Sequence, residues 1–258
     1  RMLALLALSS LALWLLLFRE RSKVAHLACS LDRLVRSITI RAADADDLKS
    51  LKGKDVLVAL PAFNEAESLP AVLKRMPKEI DGYTVGVVVI DDGSEDETAQ
   101  VARTAGHAVV SNPMRRGQGA ALRLAYDLAR VLEAKVVVTM DSDGQHQPEE
   151  IQRVAAPILA GEKDFVVGSR LMGSREKGSL VRLVGIYLNN ALVSLLAGVR
   201  VTDCPSGFKA IRVESLSEIT LVEDQFQAAE AIISAARSGL RIGEVPITVR
   251  RRLAGTTK

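Results

Sequence analysis

Residues 136–151 read VVVTMDSDGQHQPEEI, an apolar run that stops abruptly at carboxylates. Val136, Val137, Val138 and Met140 leave no polar face, which predicts a strand buried on both sides. Asp141 and Asp143 then emerge at its carboxyl end, two positions apart and pointing the same way. In an open α/β sheet, ligands bind at the carboxyl ends of the strands. With the amide oxygen of Gln145, these acids form a set of hard oxygen donors. Such a set suits Mg²⁺ or Mn²⁺ held jointly with a diphosphate and suits zinc poorly. Pro148, Glu149 and Glu150 carry the marks of a first helical turn. An isolated Asp-x-Asp is more often a polar turn, and it is the surrounding chain that favours a site here.

Upstream, strand and helix patterns alternate, as in βαβ units with a mostly parallel sheet. Residues 55–60 (DVLVAL) predict a strand stopped by Pro61, and Asn64 with Glu67 a capping box opening the next helix. Residues 85–90 (VGVVVI) predict a second strand ending in Asp91 and Asp92, with Ser94 and Glu97 repeating the capping pattern. The acids Glu95, Asp96 and Glu97 would repel a phosphate, so this loop fits a nucleoside held by carboxylate hydrogen bonds, or else the two aspartates only cap the turn. Residues 107–111 predict a short third strand. Residues 112–122 (NPMRRGQGAAL) then bring Gly117, Gly119 and two arginines to a helix start, an arrangement that favours an anion. The third glycine of a dinucleotide fingerprint is missing, and there is no P-loop. A helix over 149–159 and a strand over 165–168 follow.

The chain has 258 residues, 48% apolar and 25% charged, room for one substantial domain and an appendage. A net charge of +3 with 3% aromatic residues gives no reason to expect nucleic acid as a partner. Cys29 and Cys204 imply neither a disulfide framework nor a cysteine metal site. Residues 2–18 (MLALLALSSLALWLLLF) contain no ionisable group and would reach roughly 25 Å as a helix, at the short end of a bilayer span. The basic flank Arg19, Arg21 and Lys23 follows the run instead of preceding it. That favours a retained anchor over a cleaved signal peptide, with the next domain on the cytoplasmic side. Three segments are expected: 1–23 as a single transmembrane anchor and its flank, 24–52 as an amphipathic linking helix, and 53–258 as the catalytic domain. Residues 178–199 predict a long apolar helix interrupted by Arg182, Asn189 and Asn190, more suited to an interface or a core than to a second span.

Several motifs occur in order: PAFNE at 61–65, IDDGS at 90–94, GQGAALR at 117–123, DSDGQH at 141–146, GSR at 168–170, DCPSGF at 203–208 and EVPI at 244–247, followed by Arg252, Gly255 and Lys258. Together they resemble the family 2 inverting glycosyltransferases of GT-A fold, most closely the dolichyl-phosphate and polyprenyl-phosphate mannose and glucose synthases, over roughly residues 54–258. The resemblance implies a Rossmann-like α/β domain and donor contacts from Pro61, Asn64, Glu65, Asp91, Asp92, Gly117, Gly119, Ser142 and Arg170. It implies a metal and diphosphate site at Asp141, Asp143 and Gln145. Basic residues Arg252 and Lys258 join the two aspartates in catalysis and, with Arg182 and Ser206, face the acceptor. Gln118 stands where many members carry Lys, and in QFQAAE at 225–230 only Glu230 matches the family's acidic residue. The implied activity moves a hexose from a UDP- or GDP-linked sugar to polyprenyl or dolichyl phosphate at the membrane, with Mg²⁺ or Mn²⁺. The alternatives are a hydroxyl acceptor on a glycolipid or polysaccharide, and an inactive nucleotide-sugar or lipid-binding membrane subunit.

Overall fold

In the computed structural model, residues 2–175, 180–222 and 227–252 are described. The chain divides into two compact units, Arg1–Ile38 and Thr39–Lys258. The first consists of helix α1 (Met2–Ala42) up to Ile38, and the helix runs without a break through the basic residues at 19–23. Along it Leu13, Trp14, Leu17 and Phe18 are exposed. Among the described residues no helix is long and apolar enough to cross a membrane.

The second unit opens with α2 (Ala45–Leu51), whose first N–H groups at Asp46 and Asp47 are accepted by the Asp44 carboxylate. Its strands are β1 (Val56–Ala62), the two-residue β2 (Glu79–Ile80), β3 (Tyr83–Asp91), β4 (Ala108–Ser111), β5 (Val136–Thr139), β6 (Phe165–Arg175), β7 (Lys209–Arg212) and β8 (Ile242–Val249). They form one 8-stranded sheet in the order β2-β3-β1-β5-β7-β6-β8, with β4 also on β3. Between them run α3 (Leu69–Leu73), α4 (Thr98–Thr104), α5 (Gln118–Val131), α6 (Ile151–Leu159), α7 (Leu180–Ala197) and α8 (Gln227–Arg237).

The parallel set expected from the sequence is present: β3 and β5 flank β1 in parallel, and β4 runs parallel to β3. Beyond β5 the sheet is mixed, because β7 is antiparallel to both β5 and β6. Local periodicity gives no warning of this, since the direction of β7 depends on the path of the chain through α7. Each central strand is buried on both faces, as its unbroken apolar run requires. Leu57 and Ala59 pack with Leu124 and Leu128 of α5 and Ile232 of α8. Val56, Val58 and Leu60 pack on the other side with Ile151, Val154 and Ile158 of α6.

Pro61 does not stop β1, which continues to Ala62 beside β3. β5 has paired with β1 only as far as Ala59, so on that side the missing N–H of Pro61 breaks no ladder. Neither expected capping box forms. Asn64 takes a left-handed backbone, φ 53°, and its Oδ1 accepts from the Glu95 N–H at 2.9 Å. Helix α3 therefore starts only at Leu69, with a proline in its first turn. The start of α4 is held by Asp96, whose Oδ1 accepts from the Thr98 N–H at 3.0 Å. The apolar helix α7 buries Ile186, Asn190 and Val193 but leaves Val184, Leu188, Leu192 and Leu195 exposed, so core packing accounts for only one of its sides.

Candidate functional site

A cleft of about 270 Å³ opens at the carboxyl ends of β1, β3 and β5. Four segments build it, and side chains tie them in pairs. Ser142 Oγ donates to the Pro61 carbonyl at 2.8 Å, joining the loop after β5 to the end of β1. Asp92, just past β3, accepts from Asn112 Nδ2 at 2.9 Å, from the Arg116 N–H at 3.0 Å and from the Gly117 N–H at 2.7 Å. The N–H groups of Arg116 and Gly117 in this glycine loop are thus taken by the protein's own carboxylate. Gly117, at φ 89°, supplies the left-handed turn that lets the loop close onto Asp92 before α5 begins.

Of the residues singled out from the sequence, Pro61, Glu65, Asp92 and Gly117 line the cleft, and so do Asp141, Ser142, Asp143 and Arg252. Others hold the walls from behind. Asp91 accepts from the Ser94 N–H at 3.0 Å and so closes the turn after β3, Asn64 fixes the Glu95 N–H, and Gly119 is buried in α5. Arg170 is turned toward Asp203, whose Oδ2 accepts from the arginine backbone N–H at 2.8 Å and from its Nε at 2.7 Å. Asp203 is itself fully buried. Ser206 is buried in the turn before β7, where its Oγ accepts from the Phe208 N–H at 3.3 Å. Gln145 lies outside the lining: its Nε2 donates to the Arg250 carbonyl at 3.3 Å, and its own carbonyl accepts from the Arg250 N–H at 2.9 Å. That exchange brings the segment after β8 to the acidic loop and carries Arg252 into the cleft, where it pairs with Glu65. Lys258 and the side chain of Arg182 lie outside the described residues. Glu230 spends its carboxylate on the Val222 N–H, at 2.9 and 3.0 Å.

The two aspartates sit in unlike fields. Asp141 keeps a third of its side-chain surface exposed, 33%. Desolvation by the cleft walls pushes its pKa up, but the hydrogen bond from His146 and the charges of Lys209 and Arg170 outweigh that and hold it below the ordinary value. Asp143 goes the other way: burial raises its pKa, the neighbouring Asp141 adds to the rise, and the Gln145 N–H offsets it only in part. A carboxylate charged against burial and a like neighbour lacks counter-charge. A divalent cation between the two would supply it, and their oxygens are the hard donors that Mg²⁺ and Mn²⁺ take. Among the described residues no group of three or more His, Cys, Asp or Glu is placed to hold a metal ion.

Four features of the site were missed by reasoning from the sequence. Arg115 lies over the Phe63 ring at 4.1 Å from its centroid, and both line the cleft. Their loops are distant in sequence, and only the aromatic within PAFNE hinted at a platform. His146 is buried with Nε2 at 3.3 Å from Asp141 Oδ2. Lys209, at the start of β7, is a buried lysine whose pKa is pushed down by desolvation. Gly207 packs so tightly on Asp141 that a Cβ there would lie 2.3 Å from either carboxylate oxygen.

Residues 57–220 match the family described as glycosyl transferase family 2. A UDP-N-acetylglucosamine–dolichyl-phosphate N-acetylglucosaminyltransferase of Methanococcus voltae is 30% identical, over 75% of this chain and 85% of its own. A polyprenol monophosphomannose synthase of Mycolicibacterium smegmatis is 32% identical, over 78% of this chain and 80% of its own. Among solved structures, glucosyl-3-phosphoglycerate synthase of Mycobacterium tuberculosis in complex with Mn²⁺ and UDP-glucose superposes with a TM-score of 0.63 at 27% identity, covering 82% of this chain and 76% of that one. The mixed sheet flanked by helices is therefore of GT-A type, and the chain belongs to glycosyl transferase family 2.

Proposed function

We propose that this chain transfers a hexose from a nucleotide-sugar donor to polyprenyl or dolichyl phosphate, with inversion and with Mg²⁺ or Mn²⁺. The observation that carries the reading is the cleft itself, lined both by paired carboxylates and by a cation stacked on an aromatic ring. The acceptor class is supported by relatives named for transfer to dolichyl or polyprenol phosphate.

The flat face made by Phe63 and Arg115 takes the donor base, since every base has a π-face that stacks on aromatic and guanidinium planes. Asp141 and Asp143 would hold the metal, with the Gln145 amide oxygen as a further donor. When bound, the ion neutralises charge developing on the leaving diphosphate and fixes its orientation. Arg252 adds a cation on the same side, kept in place by Glu65 until phosphate oxygens compete for it. The acceptor phosphate attacks the anomeric carbon opposite the leaving group. A single in-line displacement of this kind inverts the centre. A phosphate monoester with a second pKa near about 6 is already largely deprotonated at neutral pH, so no general base has to accept a proton. Glu230 is not among the residues that line the cleft, which fits this chemistry.

The catalytic domain spans 53–258 and works at the cytoplasmic membrane face, attached through residues 2–18 with the basic flank at 19–23 on that side. The support for attachment is the uncharged run and the lipid nature of the acceptor. Membranes carrying the chain, given Mg²⁺ or Mn²⁺ and a panel of UDP- and GDP-linked sugars, are expected to form a glycolipid from one donor class, and the protein should resist extraction by carbonate. Absence of any lipid product across the panel would sink the reading.

Arg115→Ala is expected to raise the donor KM by about fivefold to tenfold, the scale of ~1 kcal/mol of stacking, with kcat nearly kept. An unchanged donor KM would remove the base from this wall.

A further inference from the structure

His146 is the one buried imidazole directed at the acidic pair. Its Nε2 lies 3.3 Å from Asp141 Oδ2, its ring tilts against Phe208 at 5.3 Å between centroids, and its Nδ1 is buried with no hydrogen-bond partner. That asymmetry decides the tautomer: the hydrogen belongs on Nε2, where an acceptor waits, and not on Nδ1, where none does. The other oxygen of Asp141 is met by Gln118 Nε2 at 3.3 Å, and Gln118 is in turn reached by Gln227 Nε2 at 3.2 Å. Behind the carboxylate, Gly207 leaves no free space. Asp141 is thus clamped on both oxygens and from the rear. Asp143 has one backbone N–H, that of Gln145 at 3.0 Å.

We propose that His146 is a positioning residue that fixes the Asp141 carboxylate through an Nε2–H donor, presetting one of the two acids that hold the divalent ion. The inference rests on the reading of Asp141 and Asp143 as the metal site. It assigns them different parts: Asp141 is held rigid by His146 and Gln118, while Asp143 is left to adjust to the ion. Partners of this kind around metal ligands typically contribute about 10- to 100-fold in metal affinity.

Two amides separate an N–H at the right place from mere bulk. The glutamine amide nitrogen reaches about as far as imidazole Nε2, and the asparagine amide nitrogen only about as far as Nδ1. In the full-length protein, Mn²⁺ binding in the presence of UDP or GDP is followed by the electron paramagnetic resonance of free Mn²⁺, beside thermal unfolding. His146→Asn is expected to weaken Mn²⁺ binding about tenfold, His146→Gln to stay within about threefold of the parent, and Asp143→Ala to abolish binding. If Asn and Gln both bind Mn²⁺ like the parent, or weaken it equally, while Asp143→Ala abolishes binding, His146 does not act through Nε2 and the proposal falls with the metal site intact. If Asp143→Ala binds Mn²⁺ as the parent does, the metal-site reading falls and takes the proposal with it. Unfolding temperatures that drop equally for Asn and Gln, with binding still split between them, leave the positioning role standing, because packing loss alone would not distinguish the two amides.

Discussion

Asp143→Ala is expected to lower turnover at least about a hundredfold, the scale of losing several kcal/mol of charge stabilisation at the leaving group. Asp143 lines the cleft beside Asp141, and burial and that neighbour raise its pKa. The same shift predicts the sign of a stability change. A carboxyl whose folded pKa lies above its unfolded one pays for its charge in the folded state. That cost is absent below the unfolded pKa and complete above the folded one. At neutral pH Asp143→Asn should therefore raise the unfolding temperature while abolishing most activity, and the gain should disappear in acid. Kinetics at saturating Mn²⁺ with calorimetry at pH 7 and pH 4 measure both. Near-normal turnover would remove Asp143 from the site, and a lowered unfolding temperature at pH 7 would contradict the assigned field.

Gly207→Ala is expected to cost about tenfold to a hundredfold in kcat with little loss of fold. The added methyl would stand 2.3 Å from each Asp141 carboxylate oxygen, well inside any allowed contact. The side chain cannot simply swing away, because His146 and Gln118 hold its two oxygens. Displacement of a reacting or coordinating group by about 1 Å is enough for losses of about 10²-fold. Gly207 has no left-handed φ to protect, so the backbone accepts alanine and the damage falls on Asp141. Steady-state kinetics with a melting curve test this. An alanine variant with full activity would mean that Asp141 tolerates movement and is not the rigid ligand.

The junction at 136–143 was legible because both facts it needs are local: an apolar run with no polar face, and acids placed where that run must end. The parallel core of β1, β3 and β5 followed from the same reasoning. What escaped depends on contacts between distant segments. The antiparallel course of β7 follows from where α7 returns the chain. The Phe63 and Arg115 stack joins loops fifty residues apart. The capping boxes failed because Asn64 Oδ1 accepts from the Glu95 N–H and Ser94 Oγ accepts from the Asn64 N–H. In the glycine loop the Arg116 and Gly117 N–H groups meet Asp92, a carboxylate from the end of another strand. Asp91 likewise does what turn chemistry alone would ask of it, accepting from Ser94. Gly207 stood within a recognised motif, yet its role depends on the Asp141 carboxylate at the end of another strand, while His146 shares its loop with Asp141 and its part depends on how that loop folds back.

The most direct measurement offers the purified chain one active nucleotide sugar, Mn²⁺, and either a polyprenyl phosphate or the corresponding polyprenol, with the lipid product identified by mass. Transfer to the phosphate alone, giving a glycosyl phosphodiester with the anomeric configuration inverted from the donor, is the expected result. Transfer to the alcohol or to a sugar hydroxyl, with none to the phosphate, would contradict it.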